Sequence, residues 1–146
     1  MNLKLILVLL MLSLPLTSAA YISGKIDVFS DGRASFNLNT DVQINLAGLK
    51  FEENKITGIT SALTKKEGEI WTFDLSQFPE YDEIFLEVQL PKNLKEIIQI
   101  NGTNKAIDLE KKLIIMVGSG SPELSIQYTL GNYVNYSAII WPLLAL

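Results

Sequence analysis

From Tyr21 the chain alternates, with Ile22, Gly24, Ile26 and Val28 on one side and Ser23, Lys25 and Asp27 on the other. Period two over eight residues is the mark of a half-buried strand. Asp31-Gly32 supplies a turn, read as type I′ because both of its central residues need positive φ and Asp-Gly tolerates it. The chain returns through Ala34, Phe36 and Leu38, with Arg33, Ser35, Asn37 and Asn39 on the opposite face, so Ser30 to Arg33 joins an opening hairpin. Val42, Ile44 and Leu46 resume the alternation, which predicts one long bent strand or two short ones between Arg33 and Leu46. Ala47-Gly48 then turns or bulges the chain before Leu49 to Phe51.

Glu52 to Asn54 reads as a polar turn, and Lys55 to Thr64 is rich in Ile and Thr, as strands are. Gly58 inside it marks a bulge or a close approach by a neighbouring backbone. Lys65 to Gly68 closes a further hairpin onto the strand of Trp71, Phe73 and Leu75. That aromatic face reads as core, with a binding platform at Trp71 and Phe73 as the alternative. Ser76 to Asp82 crosses between sheets. Ile84, Leu86, Val88 and Leu90 point inward, and Leu94 to Ile100 leads into the turn Asn101-Gly102-Thr103-Asn104, after which Ala106 to Leu109 pairs back. Five successive apolar residues, Leu113 to Val117, predict a central strand buried on both faces. After a connection at Gly118 to Pro122, the positions Leu124, Ile126, Tyr128 and Leu130 form the last strand. About nine short strands with turns every 8 to 12 residues predict an all-β fold, an Ig-like antiparallel β-sandwich from Tyr21 to about Leu130.

The flanks have a different character. In residues 1–20 one basic residue, Lys4, precedes an apolar run from Leu5 to Leu16, and Thr17, Ser18, Ala19 and Ala20 form a small-residue exit. This is the order of parts in a secretory signal peptide. The run gives about 18 Å of helix against about 30 Å of hydrocarbon, so a leader is expected in place of a membrane span. Ser18 and Ala20 fit the small-x-small rule, which places the mature start at Tyr21. At the other end Tyr133 to Leu146 carries no charge. Tyr133, Tyr136 and Trp141 fit an interfacial aromatic belt and are the candidate membrane contacts. Residues 131–146 are thus an apolar tail, open to three readings: the start of a transmembrane helix, a short interfacial anchor, or a last strand tucked into the domain. Exposed, such a tail would aggregate.

Composition narrows the chemistry. The 146 residues include no Cys and no His. An exported domain without cysteine rests on buried apolar area alone or on a bound ion, and without histidine the Ser-His-Asp, HExxH and Cys/His zinc sites are excluded. No cofactor, metal or catalytic residue is therefore expected. Asn37, Asn39 and Asp41 lie at strand spacing and could offer oxygens to a hard cation, but a wet outer face explains them. Glu80, Asp82 and Glu83 are the densest acidic group, yet a glycosidase needs two carboxylates across a cleft, which one loop does not supply. The net charge is −4, or −5 without Lys4, and no basic stripe occurs, so nucleic acid is not an expected partner. Two sequons, at Asn101 and Asn135, are candidate glycosylation sites, the first on an expected exposed hairpin tip.

The opening hairpin Ile26-Asp27-Val28-Phe29-Ser30-Asp31-Gly32-Arg33-Ala34, the segment Leu90-Pro91-Lys92-Asn93 and an apolar segment after the sandwich carry a resemblance. Together with the leader, they resemble the extracytoplasmic part of single-span archaeal membrane proteins. Some members of that group are similar to sensors with a cytoplasmic winged-helix domain after the span, and no site residue is carried over from them. The expected function is an exported, membrane-associated, cell-surface β-sandwich with a non-enzymatic binding or envelope role. The membrane is met through the tail, and a protein or glycan is the candidate partner at the surface. The alternatives are the ectodomain of a membrane-bound sensor and an exported carbohydrate-active enzyme.

Overall fold

The computed structural model describes residues 2–13, 20–102 and 105–131. Its one described helix, α1 (Leu3–Ser13), starts at Asn2, whose side-chain oxygen accepts from the Lys4 N–H at 3.3 Å and whose carbonyl accepts from Leu5 at 3.0 Å. That is an N-cap. Leu3, Leu5, Leu7 and Val8 are each more than half exposed, so the helix does not bury these side chains in the domain. No described helix is long and apolar enough to cross a membrane.

The opening hairpin has the expected strands, β1 (Tyr21–Val28) and β2 (Ala34–Thr40), in the register Val28 to Ala34. Its turn is not type I′. Gly32 has φ of 88°, but Asp31 does not share the positive φ that type I′ requires at both centres. Phe29 N–H bonds to Arg33 at 2.8 Å and Gly32 N–H to Phe29 at 3.1 Å, which makes a three-residue loop with glycine at its left-handed position. The Asp31 carboxylate accepts from the Arg33 backbone and guanidinium at 3.1 and 2.6 Å. The backbone bond from Arg33 is the largest cause and, with the guanidinium's added pull, holds the carboxyl below the ordinary range against desolvation.

Beyond Thr40 the expected strand at Val42 to Leu46 is absent, because Thr40 Oγ1 accepts the Val42 N–H at 3.2 Å and turns the backbone out of the ladder. The alternation survives in the packing, with Ile44 buried and Val42 and Leu46 half-buried. Next come β3 (Leu49–Glu52) and β4 (Lys55–Thr60), paired through Glu52 and Lys55. Here is a two-residue turn with both centres left-handed, Glu53 at φ 50° and Asn54 at φ 59°. Neither is glycine. Glu53→Asn combined with Asn54→Gly is expected to raise the stability by about 1 kcal/mol, read as a shift in urea midpoint at unchanged slope.

The chain leaves this sheet after Thr60 and enters a second one, with β5 (Thr64–Glu67) and β6 (Ile70–Asp74) as a hairpin around Gly68-Glu69. The strand rich in Ile and Thr therefore does not pair with the aromatic strand. β7 (Tyr81–Gln89) returns to the first sheet, β8 (Leu94–Gly102) lies in the second, and β9 (Lys105–Asp108) and β10 (Leu113–Gly120) lie in the first. β9 pairs with β10, not back onto β8, and β10 absorbs much of the expected connection at Gly118 to Pro122. β11 (Leu124–Leu130) sits between β6 and β8.

The result is all-β and two-layered, with the orders β3-β4-β2-β1-β7-β10-β9 and β5-β6-β11-β8 among the described residues. Eleven strands among the described residues replace about nine, and β1 pairs with β7 in parallel, so the sandwich is not wholly antiparallel. Ile22, Ile26, Leu38, Ile56, Leu86 and Ile114 of one sheet meet Phe73, Leu124, Ile126 and Tyr128 of the other in a single core. Each such side chain contributes about 1.5–3 kcal/mol, so two of them match the 2–4 kcal/mol typical of a disulfide. β10 alternates between buried and open: Ile114 and Met116 are in the core, Ile115 is half-buried and Val117 is 54% exposed. The expectation of burial on both its faces fails, because its outward residues lie on the open face of the sheet.

Candidate functional site

The strands run between two ends of the sandwich, and the turns gather at one or the other. One end gathers the turn Phe29 to Arg33, the β5–β6 turn, Leu90 to Asn93, Leu109 to Lys112 and the close of β11. Asn93 ties three of these together: its carboxamide oxygen accepts from Ser30 Oγ, its carbonyl accepts from Gly131 at 2.7 Å, and its Nδ2 donates to the Gly131 carbonyl at 2.9 Å. Lys112 Nζ donates to the Lys92 carbonyl. A recess of about 480 Å³ lies here, lined by Ser30, Lys66, Glu69, Trp71, Lys95 and Leu130 beside Gly131.

Trp71 forms one wall. Its ring packs so closely on the hairpin that a Cβ on Gly32 would lie 2.4 Å from a ring carbon, and Lys66 Nζ stands 5.3 Å from its centroid. That is cation–π range. Phe73, the other half of the suggested platform, is wholly buried, so only Trp71 remains available to a ligand. The same end carries exposed apolar tips, Phe29 at 39%, Ile70 at 39% and Leu109 at 69%. Around them Arg33, Lys66, Lys92, Lys95, Lys111 and Lys112 nearly balance Asp31, Glu67, Glu69, Asp108 and Glu110.

The opposite end is acidic. Asp41, Glu52, Glu53, Asp74, Glu80, Asp82, Glu83 and Glu123 collect there against Lys55 and Lys105. Asp82 Oδ2 accepts from the Ala20 N–H at 2.9 Å and Asp41 Oδ1 from the Tyr21 N–H at 3.0 Å. Glu80, Asp82 and Glu83 are all exposed. Glu83 borders a shallow depression with Phe85 and Val117, while Asp82 is engaged with Ala20. No group of three or more carboxylates converges on a metal position among the described residues. Of the polar stripe, Asn37 and Asn39 are exposed and Asp41 serves Tyr21.

Asn101 is exposed, but in the last part of β8 opposite Ser125, not on a hairpin tip. It borders a recess of about 310 Å³ with Asp74, Ser76 and Glu123. Thr103 of its sequon, Asn135, the tail residues Tyr133, Tyr136 and Trp141, and residues 14–19 of the leader, with Thr17, Ser18 and Ala19 of its exit, lie outside the described residues.

Two groups of the core escaped the sequence reading. The hydroxyls of Tyr81 and Tyr128 are buried without a hydrogen-bond partner. Burial pushes both up to about 12; near Tyr81, Thr40 pulls the other way and the Asp41 charge adds to the rise. Thr40 Oγ1 donates to the Tyr21 carbonyl at 2.8 Å and accepts from the Val42 N–H at 3.2 Å, and the Tyr81 hydroxyl has no partner. The polarity of the two ends also went unread, because it depends on which turns the strand pairing brings together.

These features define a two-sheet β-sandwich with one mixed-charge, apolar-tipped end and one acidic end. No family model, curated protein or solved structure matches the chain.

Proposed function

We propose that the protein is an exported β-sandwich held at the outer face of a membrane, with a non-enzymatic binding or envelope-structural role. The observation that carries this reading is the position of Gly131, the last described residue before the uncharged segment. Gly131 lies at the end where Phe29, Ile70 and Leu109 are exposed and Trp71 is half-buried, while the acidic end lies opposite. A bilayer entered by the tail would meet apolar tips and lysines, which suit the headgroup zone, and the acidic end would be repelled from anionic lipid. The exposed apolar side chains of α1 fit a leader that serves export and not the core. A chain without His or Cys supports a non-enzymatic role, as does the exposure of Glu80, Asp82 and Glu83. The module is Ig-like in the sense of two packed sheets with recognition surfaces at their ends. Its acidic end faces outward toward a protein or glycan, whether the module is an envelope component or a sensor ectodomain.

The absence of cysteine permits single-cysteine labelling of the full chain in its native membrane. A polarity-sensitive dye on Leu109→Cys is expected to emit at shorter wavelength than the same dye on Glu53→Cys, and protease added outside is expected to digest the domain. Equal, water-like emission from both positions, or protection from the protease in intact cells, overturns the reading.

A further inference from the structure

We infer that the leader is cut at the Ala19–Ala20 bond, so that the mature chain begins at Ala20 and Asp82 holds its terminal ammonium. This rests on the export reading above and moves the expected start by one residue. Two registers satisfy the small-x-small rule, Ser18 with Ala20 and Thr17 with Ala19, and the sequence alone does not choose. The fold does.

Ala20 is half-buried against the core and opens the parallel seam with β7. Its N–H donates to Asp82 Oδ2 at 2.9 Å, and its carbonyl accepts from the Asp82 and Glu83 amides at 2.8 and 3.2 Å. The Ala20–Tyr21 peptide is therefore engaged on both sides, since the Tyr21 N–H is bound by Asp41 at 3.0 Å. A cut there would leave Tyr21 ammonium beside Asp41 but strip the Asp82 and Glu83 amides of their acceptor. Hydrolysis one bond earlier keeps every one of these contacts. Water adds its hydroxyl to the Ala19 carbonyl carbon as the C–N bond breaks, and its proton goes to the Ala20 nitrogen. At neutral pH the products are a leader carboxylate and an Ala20 ammonium, which turns the bond to Asp82 into a charge-assisted one.

N-terminal sequencing and intact mass of the exported protein test this. A chain starting at Ala20 supports it. A start at Tyr21 or any other residue overturns it while leaving export intact, and a chain retaining Met1 overturns both. A second measurement compares processed chains running from Ala20 or from Tyr21 to Leu146. The Ala20 form is expected to melt about 4 °C higher, with Asp82→Asn lowering the Ala20 form more than the Tyr21 form. Equal melting temperatures would show that Ala20 is not part of the folded domain, against the inference.

Discussion

Gly24→Ala is expected to lower the melting temperature by about 15 °C, a loss of about 4 kcal/mol. Gly24 lies in β1, which pairs with β2 on one side and β7 on the other, so the strand has no free side toward which to move. Its φ is 132°, outside the range that L side chains adopt readily, and an added Cβ would lie 2.3 Å from the Asn37 carbonyl oxygen and 2.9 Å from Leu38 Cα. Both neighbours are backbone and cannot rotate away. The cost combines conformational strain of about 1–3 kcal/mol with the ladder bonds lost when β2 is pushed aside. Gly68→Ala is the control, because its φ is 62° and nothing lies within 4 Å of its added Cβ. It should cost only about 1 kcal/mol. Similar melting curves for the two variants would refute the close approach at Gly24.

The second large effect is alkaline unfolding. Tyr128 is fully buried and Tyr81 nearly so, and burial raises both phenols to about 12 in the folded chain. An unfolded tyrosine ionises near pH 10. Between about pH 10 and 12 the folded state thus binds more protons than the unfolded one, and stability falls as pH rises. The contribution is fully present below pH 10 and is lost through the folded value, about 3 kcal/mol for each tyrosine. Urea midpoints across this range should show the decline. In the Tyr81→Phe, Tyr128→Phe double variant it should largely vanish, and stability at pH 7 should not fall, since each deleted hydroxyl is an unpaired buried donor. An undiminished alkaline decline in that variant would assign the effect to other groups.

Alternation in the sequence marked β1, β2, β7 and β11 closely, because period two follows from which side of a strand meets the core, whatever lies next to it. It could not assign neighbours. Lys55–Thr60 and Ile70–Asp74 both read as strands, yet they belong to different sheets, and β9 pairs forward with β10. Turn chemistry was equally permissive. Asp31-Gly32 suits two kinds of hairpin loop, and the Phe29–Arg33 pairing selects the longer one. Glu53-Asn54, with no glycine, gave no sign of its two left-handed residues. The run Leu113 to Val117 was apolar enough for a doubly buried strand, but hydrophobicity does not reveal whether a second layer covers the outer face.

What the sequence determined by itself is compositional or local: a leader-like apolar start, strands of period two, an uncharged tail, and a chain without the thiol and imidazole that much catalysis and metal binding require. The tertiary structure alone decided which distant residues meet. Ala20 bonds to Asp82 across 62 positions, turns far apart in the chain sort into an acidic end and an apolar-tipped one, and two phenols lose their access to water. The physical reason is that a residue's own chemistry is written at its position, whereas its dielectric surroundings and hydrogen-bond partners come from strands placed far away in the chain.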